Sequence, residues 1–197
     1  RRSFGGSYCY PGEYTVVLEL GEARFEKSLT VRPDPNHTFT LEERRLNREF
    51  VREIAALNRQ GAGLIRDMEV LDTQLKEVGS RLRSAGITAP ALTEKLQAVR
   101  KKVSHIRETY SYSVEGRTGY KRPVMVALRG GTLPEQLSRL RGSVSRFQGA
   151  PTQTQIDHFG YIRGVVEPLL LSAAALLEKD IPELNRLLNA QNFPVIK

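Results

Sequence analysis

The sequence predicts a mainly α protein: an antiparallel helical bundle with a long heptad-patterned first helix, preceded by a β-hairpin. Three observations carry that expectation. From Phe50 to Leu82 the positions Phe50, Ile54, Leu57, Gly61, Leu64, Met68, Leu71, Leu75, Val78 and Leu82 recur in alternating steps of four and three, the a/d seam of a helix lying lengthwise on partner helices. The same step recurs at Leu92, Leu96, Val99, Val103, Ile106 and Tyr110, and capping-box signatures open further helices downstream. Upstream, two short runs alternate apolar and polar residues around Gly21-Glu22, the mark of paired strands. The expected division is a hairpin in 1–35 and an antiparallel four-helix bundle in 36–197.

Taken in order, residues 1–12 are rich in glycine, aromatics and arginine, and Pro11-Gly12 marks a turn. Tyr14, Val16, Leu18 and Leu20 form the first alternating run, and Phe25, Lys27, Leu29 and Val31 the second. Two strands are marginal alone in water, so this pair is expected to need more sheet. Asn36-His37-Thr38 matches the N-glycosylation pattern, too short a match to carry weight.

The first helix is expected over about 40–84, with Thr40 as N-cap, Leu41 and Leu46 extending the seam backwards, and Gly86 as the stop. Gly61 on the seam implies either a bend or the close approach of a neighbour's backbone. Glu42, Glu43, Glu49 and Glu53 interleave with Arg44, Arg45, Arg48 and Arg52, which reads as a solvated face. The second helix, about 89–110, is half as long and can cover only the C-terminal half of the first. Residues 111–131 show no helical period.

Thr132 to Glu135 is a capping box opening a third helix through Leu133, Leu137, Leu140, Val144 and Phe147. Thr152 to Gln155 opens a fourth, through Ile156, Phe159, Ile162 or Arg163, Val166, Leu170, Ala173 and Leu177, and Pro168, with no N–H to give, is expected to kink it. Asp180 to Glu183 reads as a third cap before a short helix with Leu184, Leu187 and Leu188, and 193–196 as an apolar tail tucked onto the bundle.

Composition narrows the function classes. The net charge is +8, and 87–131 holds nine Lys and Arg against three acids. A single cysteine, Cys9, excludes an internal disulfide and a cysteine-based metal site. His37, His105 and His158 have no partner at ligand spacing. No phosphate-loop, dinucleotide-glycine, zinc-protease or nucleophile-elbow motif is present, so no catalytic residue, cofactor or metal site is assigned. No unbroken apolar run reaches the roughly 20 residues of a membrane span. Aromatics and cations alternate only around Tyr112, Arg117, Tyr120, Lys121 and Arg122, the expected partner-binding cluster. Such a mixture can pin a loop to its own bundle, contact a protein, or stack on single-stranded nucleic acid, and the last is the least favoured.

Pro11-Gly12-Glu13-Tyr14-Thr15-Val16, then Leu29-Thr30-Val31-Arg32-Pro33-Asp34-Pro35, and at the far end 150–155 and 180–188, resemble the C-terminal region of large exported bacterial proteins with sortilin-like, BNR-repeat β-propellers. There a pair of strands closes a small Ig-like β-sandwich and a helical bundle ends the chain. The resemblance implies that 1–35 is the end of such a sandwich. It also implies an exported location, periplasmic, cell-surface or extracellular, and a non-catalytic structural or protein-interaction role at the C-terminus of a multidomain protein. The alternatives are an accessory domain of a glycosyl hydrolase-like propeller enzyme and a basic coiled-coil module that binds nucleic acid. Propeller repeats are absent, and no catalytic residue is carried over.

Overall fold

The computed structural model describes residues 9, 11–36, 38–87, 89–111 and 131–196. Two strands, β1 (Gly12–Leu20) and β2 (Ala23–Val31), are followed by α1 (Leu41–Ser84), α2 (Pro90–Ser111), α3 (Leu133–Arg146) and α4 (Gln153–Ala175). A π-helical turn (Leu176–Asp180) joins α4 to α5 (Ile181–Asn189) without a break. The chain is thus a mainly α helical bundle preceded by a β-hairpin.

α1 is continuous, and its ends obey local chemistry. The Thr40 side chain accepts from the Glu43 amide while the Glu43 carboxylate accepts from the Thr40 amide, satisfying two of the first-turn donors. At the other end Gly86 takes φ +64°, and Gly86 N and Ile87 N donate to Arg83 O and Leu82 O. That is a Schellman stop, and the left-handed residue in it favours glycine.

All ten seam residues from Phe50 to Leu82 are buried. The backward extension is different: Leu41 and Leu46 are exposed, and the inward positions are Asn47 and Arg44. After the four-step from Ile54 to Phe50 the heptad requires a three-step, which lands on Asn47. A second step of three, where the heptad would take four, reaches Arg44, which is only 7% exposed and not part of a solvated face. Asn47 Nδ2 donates to the carbonyl oxygens of Val144, Phe147 and Gly149 at 3.0, 2.6 and 2.9 Å, tying the end of α3 to α1.

The pairings give the directions of the helices. Tyr110 packs on Gly61, Arg107 bonds Asp72 and Leu96 meets Gly79, so α2 runs antiparallel to α1 along its C-terminal half. Phe50 meets Phe159 edge-on and Glu53 pairs with Arg163, so α4 runs parallel to α1. Gln136 meets His158 and Ser143 meets Gln155, so α3 opposes α4. α2 and α3 therefore follow one another along α1, and α3 covers the half that α2 leaves open. At Gly61 the close neighbour is the Tyr110 ring rather than a backbone, and α1 continues through it.

Along α4 and α5 the buried series is Phe159, Ile162, Val166, Leu169, Ala173, Leu176, Ile181, Leu184 and Leu188. Its one step of five, from Leu176 to Ile181, coincides with the π turn, which absorbs one residue and returns the stripe to the core. Ile156 and Leu177 are exposed and Leu170 only half-buried, a shift of the expected stripe by one position. Phe147 is extended just past α3 and stacks edge-on against Phe39, outside the seam. Asp180 caps nothing: its backbone is helical and its carboxylate bonds Lys95 and Lys102 at 2.9 and 2.7 Å. The C-terminal tail does fold back, with Asn185 bracketing the Ile196 backbone through its amide oxygen and nitrogen.

Candidate functional site

The hairpin is the surface that the bundle leaves unfinished. β1 and β2 pair antiparallel from Gly12↔Val31 to Leu20↔Ala23, closing on the two-residue loop Gly21-Glu22 with Gly21 at φ +60°. A positive φ at the first loop residue is the requirement of a type II′ hairpin turn, which glycine meets without strain. This register puts Tyr14, Val16, Leu18, Leu20, Phe25 and Leu29 on one face, with Tyr14 opposite Leu29 and Leu18 opposite Phe25. The other face carries Glu13, Thr15, Glu19, Arg24, Glu26, Ser28 and Thr30, with Val17 the large apolar exception. The hairpin thus has one apolar face and one polar face, as a strand pair at the surface of a sheet core has.

No core covers the apolar face among the described residues. Its six large side chains are 36% exposed at the least, at Tyr14, and 73% at the most, at Leu20. Neither strand packs on any helix. Among the described residues the bundle covers neither face. The outer backbone edges of β1 and β2 also have no strand partner in the described chain.

The expected contact cluster, Tyr112, Arg117, Tyr120, Lys121 and Arg122, lies outside the described residues. Its neighbour Tyr110 is core: the ring is buried on α1, and burial pushes its phenol pKa up. His105 is exposed, and His158 is half-buried with Nε2 3.1 Å from Gln136 Oε1. Among the described residues no group of three His, Cys, Asp or Glu gathers that could hold a metal ion.

The main charge clusters serve packing. Asp180 is held below the ordinary carboxylate range, because hydrogen bonds from Lys102 and Lys95 outweigh the opposing effect of burial. Lys95 is raised in turn, chiefly by Glu183 and then by Asp180. These pairs join α2 to the junction of α4 and α5 rather than poising a reactive group.

The helix from Gln153 to Asn189 is long and apolar enough to cross a membrane by length and composition. It also supplies the inward stripe of the bundle, and a core helix meets the same test. No family of known proteins, no curated protein and no solved structure matches this chain.

Proposed function

We propose that the chain is a non-catalytic structural and protein-interaction module, and that its hairpin completes a sheet supplied from outside residues 12–31. The observation that supports this is the hairpin's uncovered apolar face together with its two open edges. Surface of this kind is costly in water, and an open edge is a template for strand addition. α1 then acts as a rigid rod: its 44 residues span about 66 Å at about 1.5 Å per residue, carrying the hairpin at one end. Membership of a larger exported multidomain protein, with an Ig-like sandwich completed by this hairpin, is part of the proposal and rests on the turn and strand residues Pro11 to Val16 and Leu29 to Pro35.

The test compares the full chain with a Leu18→Lys/Phe25→Lys variant by light scattering and amide exchange. The expected result is self-association of the full chain that the variant abolishes without shifting the bundle's melting temperature. A monomer whose hairpin amides are as protected as those of α1 would overturn the proposal.

A further inference from the structure

Past the end of α5 the chain reverses and lays residues 193–196 back between α5 and α1. The reversal is local: Asn192 takes φ +53°, and Asn192 N and Phe193 N donate to Asn189 O and Leu188 O. That is a Schellman turn with asparagine in the left-handed position. The returning segment then lies between Asn185 on α5 and the α1 face of Gln74, Val78 and Arg81.

This contact is built as a peptide site is built. Asn185 holds backbone: its Nδ2 donates to Ile196 O at 2.9 Å and its Oδ1 accepts from Ile196 N at 2.8 Å. A side-chain amide that meets both polar groups of one residue grips any extended residue alike, as the edge of a sheet does. Selection is left to one side chain, since Ile196 is 5% exposed while Pro194 and Val195 are exposed and Phe193 is half-buried.

The segment is also lightly held. Over 194–196 the hydrogen bonds made among the described residues are the Asn185 pair, and Ile196 is the one buried side chain. Such a segment opens at far less cost than the helices it rests on. A hollow of about 90 Å³ lies between it and α1, room for a larger side chain than the segment supplies.

We propose that the groove between α1 and α5 binds an extended peptide segment of a partner protein bearing a branched aliphatic side chain, and that residues 193–196 occupy it in cis as a displaceable strap. Asn185 clamps the incoming backbone as it clamps that of Ile196, and the aliphatic side chain takes the place of Ile196. The partner is a different protein rather than a second copy, because the Schellman turn directs the strap back onto its own α5. This does not rest on the hairpin being a docking element.

The experiment follows a fluorescein-labelled peptide, Gln191 to Ile196 of this sequence with both ends blocked, binding to the full chain by fluorescence anisotropy. In the parent the tethered strap competes at an effective concentration on the order of millimolar, so binding is weak. Ile196→Asp, which cannot seat the strap, is expected to bind the peptide about tenfold or more tightly than the parent does. Adding Asn185→Ala is expected to abolish that gain, with both folds checked by their melts. Val195→Asp, at an exposed position, should behave as the parent. Amide exchange on the parent needs no variant: the Ile196 amide should exchange through a local opening, far faster than that of Leu75 in α1. Exchange of Ile196 only with global unfolding, no gain in a folded Ile196→Asp, or a gain that survives Asn185→Ala would each overturn the proposal. So would a dimer that Ile196→Asp dissolves and Leu18→Lys/Phe25→Lys does not, since the strap would then pass between copies.

Discussion

Gly61→Ala and Gly63→Ala are the same chemical change two residues apart in one helix, and the structure sets them in opposite directions. In a helix interior either change should gain about 0.8–1 kcal/mol of propensity. Around Gly63 an added Cβ meets nothing within 4 Å, so that gain should stand. At Gly61 the Cβ would lie 2.5 Å from Tyr110 Cε2 and nearer still to Cζ and the hydroxyl. Ordinary contact begins at about 3.4 Å, so the ring must retreat by about 1 Å or more. Tyr110 is 2% exposed, in a close-packed interior with nowhere to go, and forced repacking of that size costs about 1–3 kcal/mol. The net expectation is Gly63→Ala more stable by about 0.5–1 kcal/mol and Gly61→Ala less stable by about 0.5–2 kcal/mol. Urea denaturation of the two variants beside the parent measures both. Tyr110→Phe removes a buried hydroxyl without a partner but keeps the ring carbons, so it should not rescue Gly61→Ala, whereas Tyr110→Leu should. If Gly61→Ala is as stable as Gly63→Ala, the packing of α2 on α1 has been misplaced.

Asn47→Ala should cost about 2–3 kcal/mol in the same assay, since it strips a shared donor from three carbonyls at the end of α3. A loss below half a kcal/mol would mean that water replaces it freely. Leu75→Ala, at a fully buried seam position, should cost about 2–5 kcal/mol, while Val70→Ala on the exposed face should be near neutral. Asp180 has a folded pKa below its ordinary value, so its contribution is present above the ordinary carboxylate pKa and is lost as pH falls through the folded one. Asp180→Asn should therefore be less stable than the parent at pH 7, with the gap closing in thermal melts as pH falls below the ordinary carboxylate range; a gap independent of pH would rule out the pairing of Asp180 with Lys95 and Lys102 as its source.

Much of the bundle was legible because a helix repeats every few residues, and burial on one side forces that period onto the apolar residues. Ten seam positions on α1 and the Thr40, Thr132 and Thr152 capping boxes follow from residues within seven positions of each other. The hairpin was legible for the same reason, as a period of two closed by a glycine turn. The candidate interaction surface was half legible. Alternation shows that an apolar face exists, but only the fold shows that no helix reaches it.

What the sequence by itself determined is local: periods, caps, stops and the pairing of strands joined by two residues. What the tertiary structure decided depends on partners far along the chain. Asn47 reads as an interruption of the seam until the carbonyls of Val144, Phe147 and Gly149, about a hundred residues away, are set against it. Arg44 looks like part of any charged helix face, because composition does not say that Gln148, just past the end of α3, meets its guanidinium. The step of five from Leu176 to Ile181 looks like the end of one helix and the start of another. A π turn is a poor local choice, taken because it keeps both Leu176 and Ile181 in a core that the other helices have already shaped.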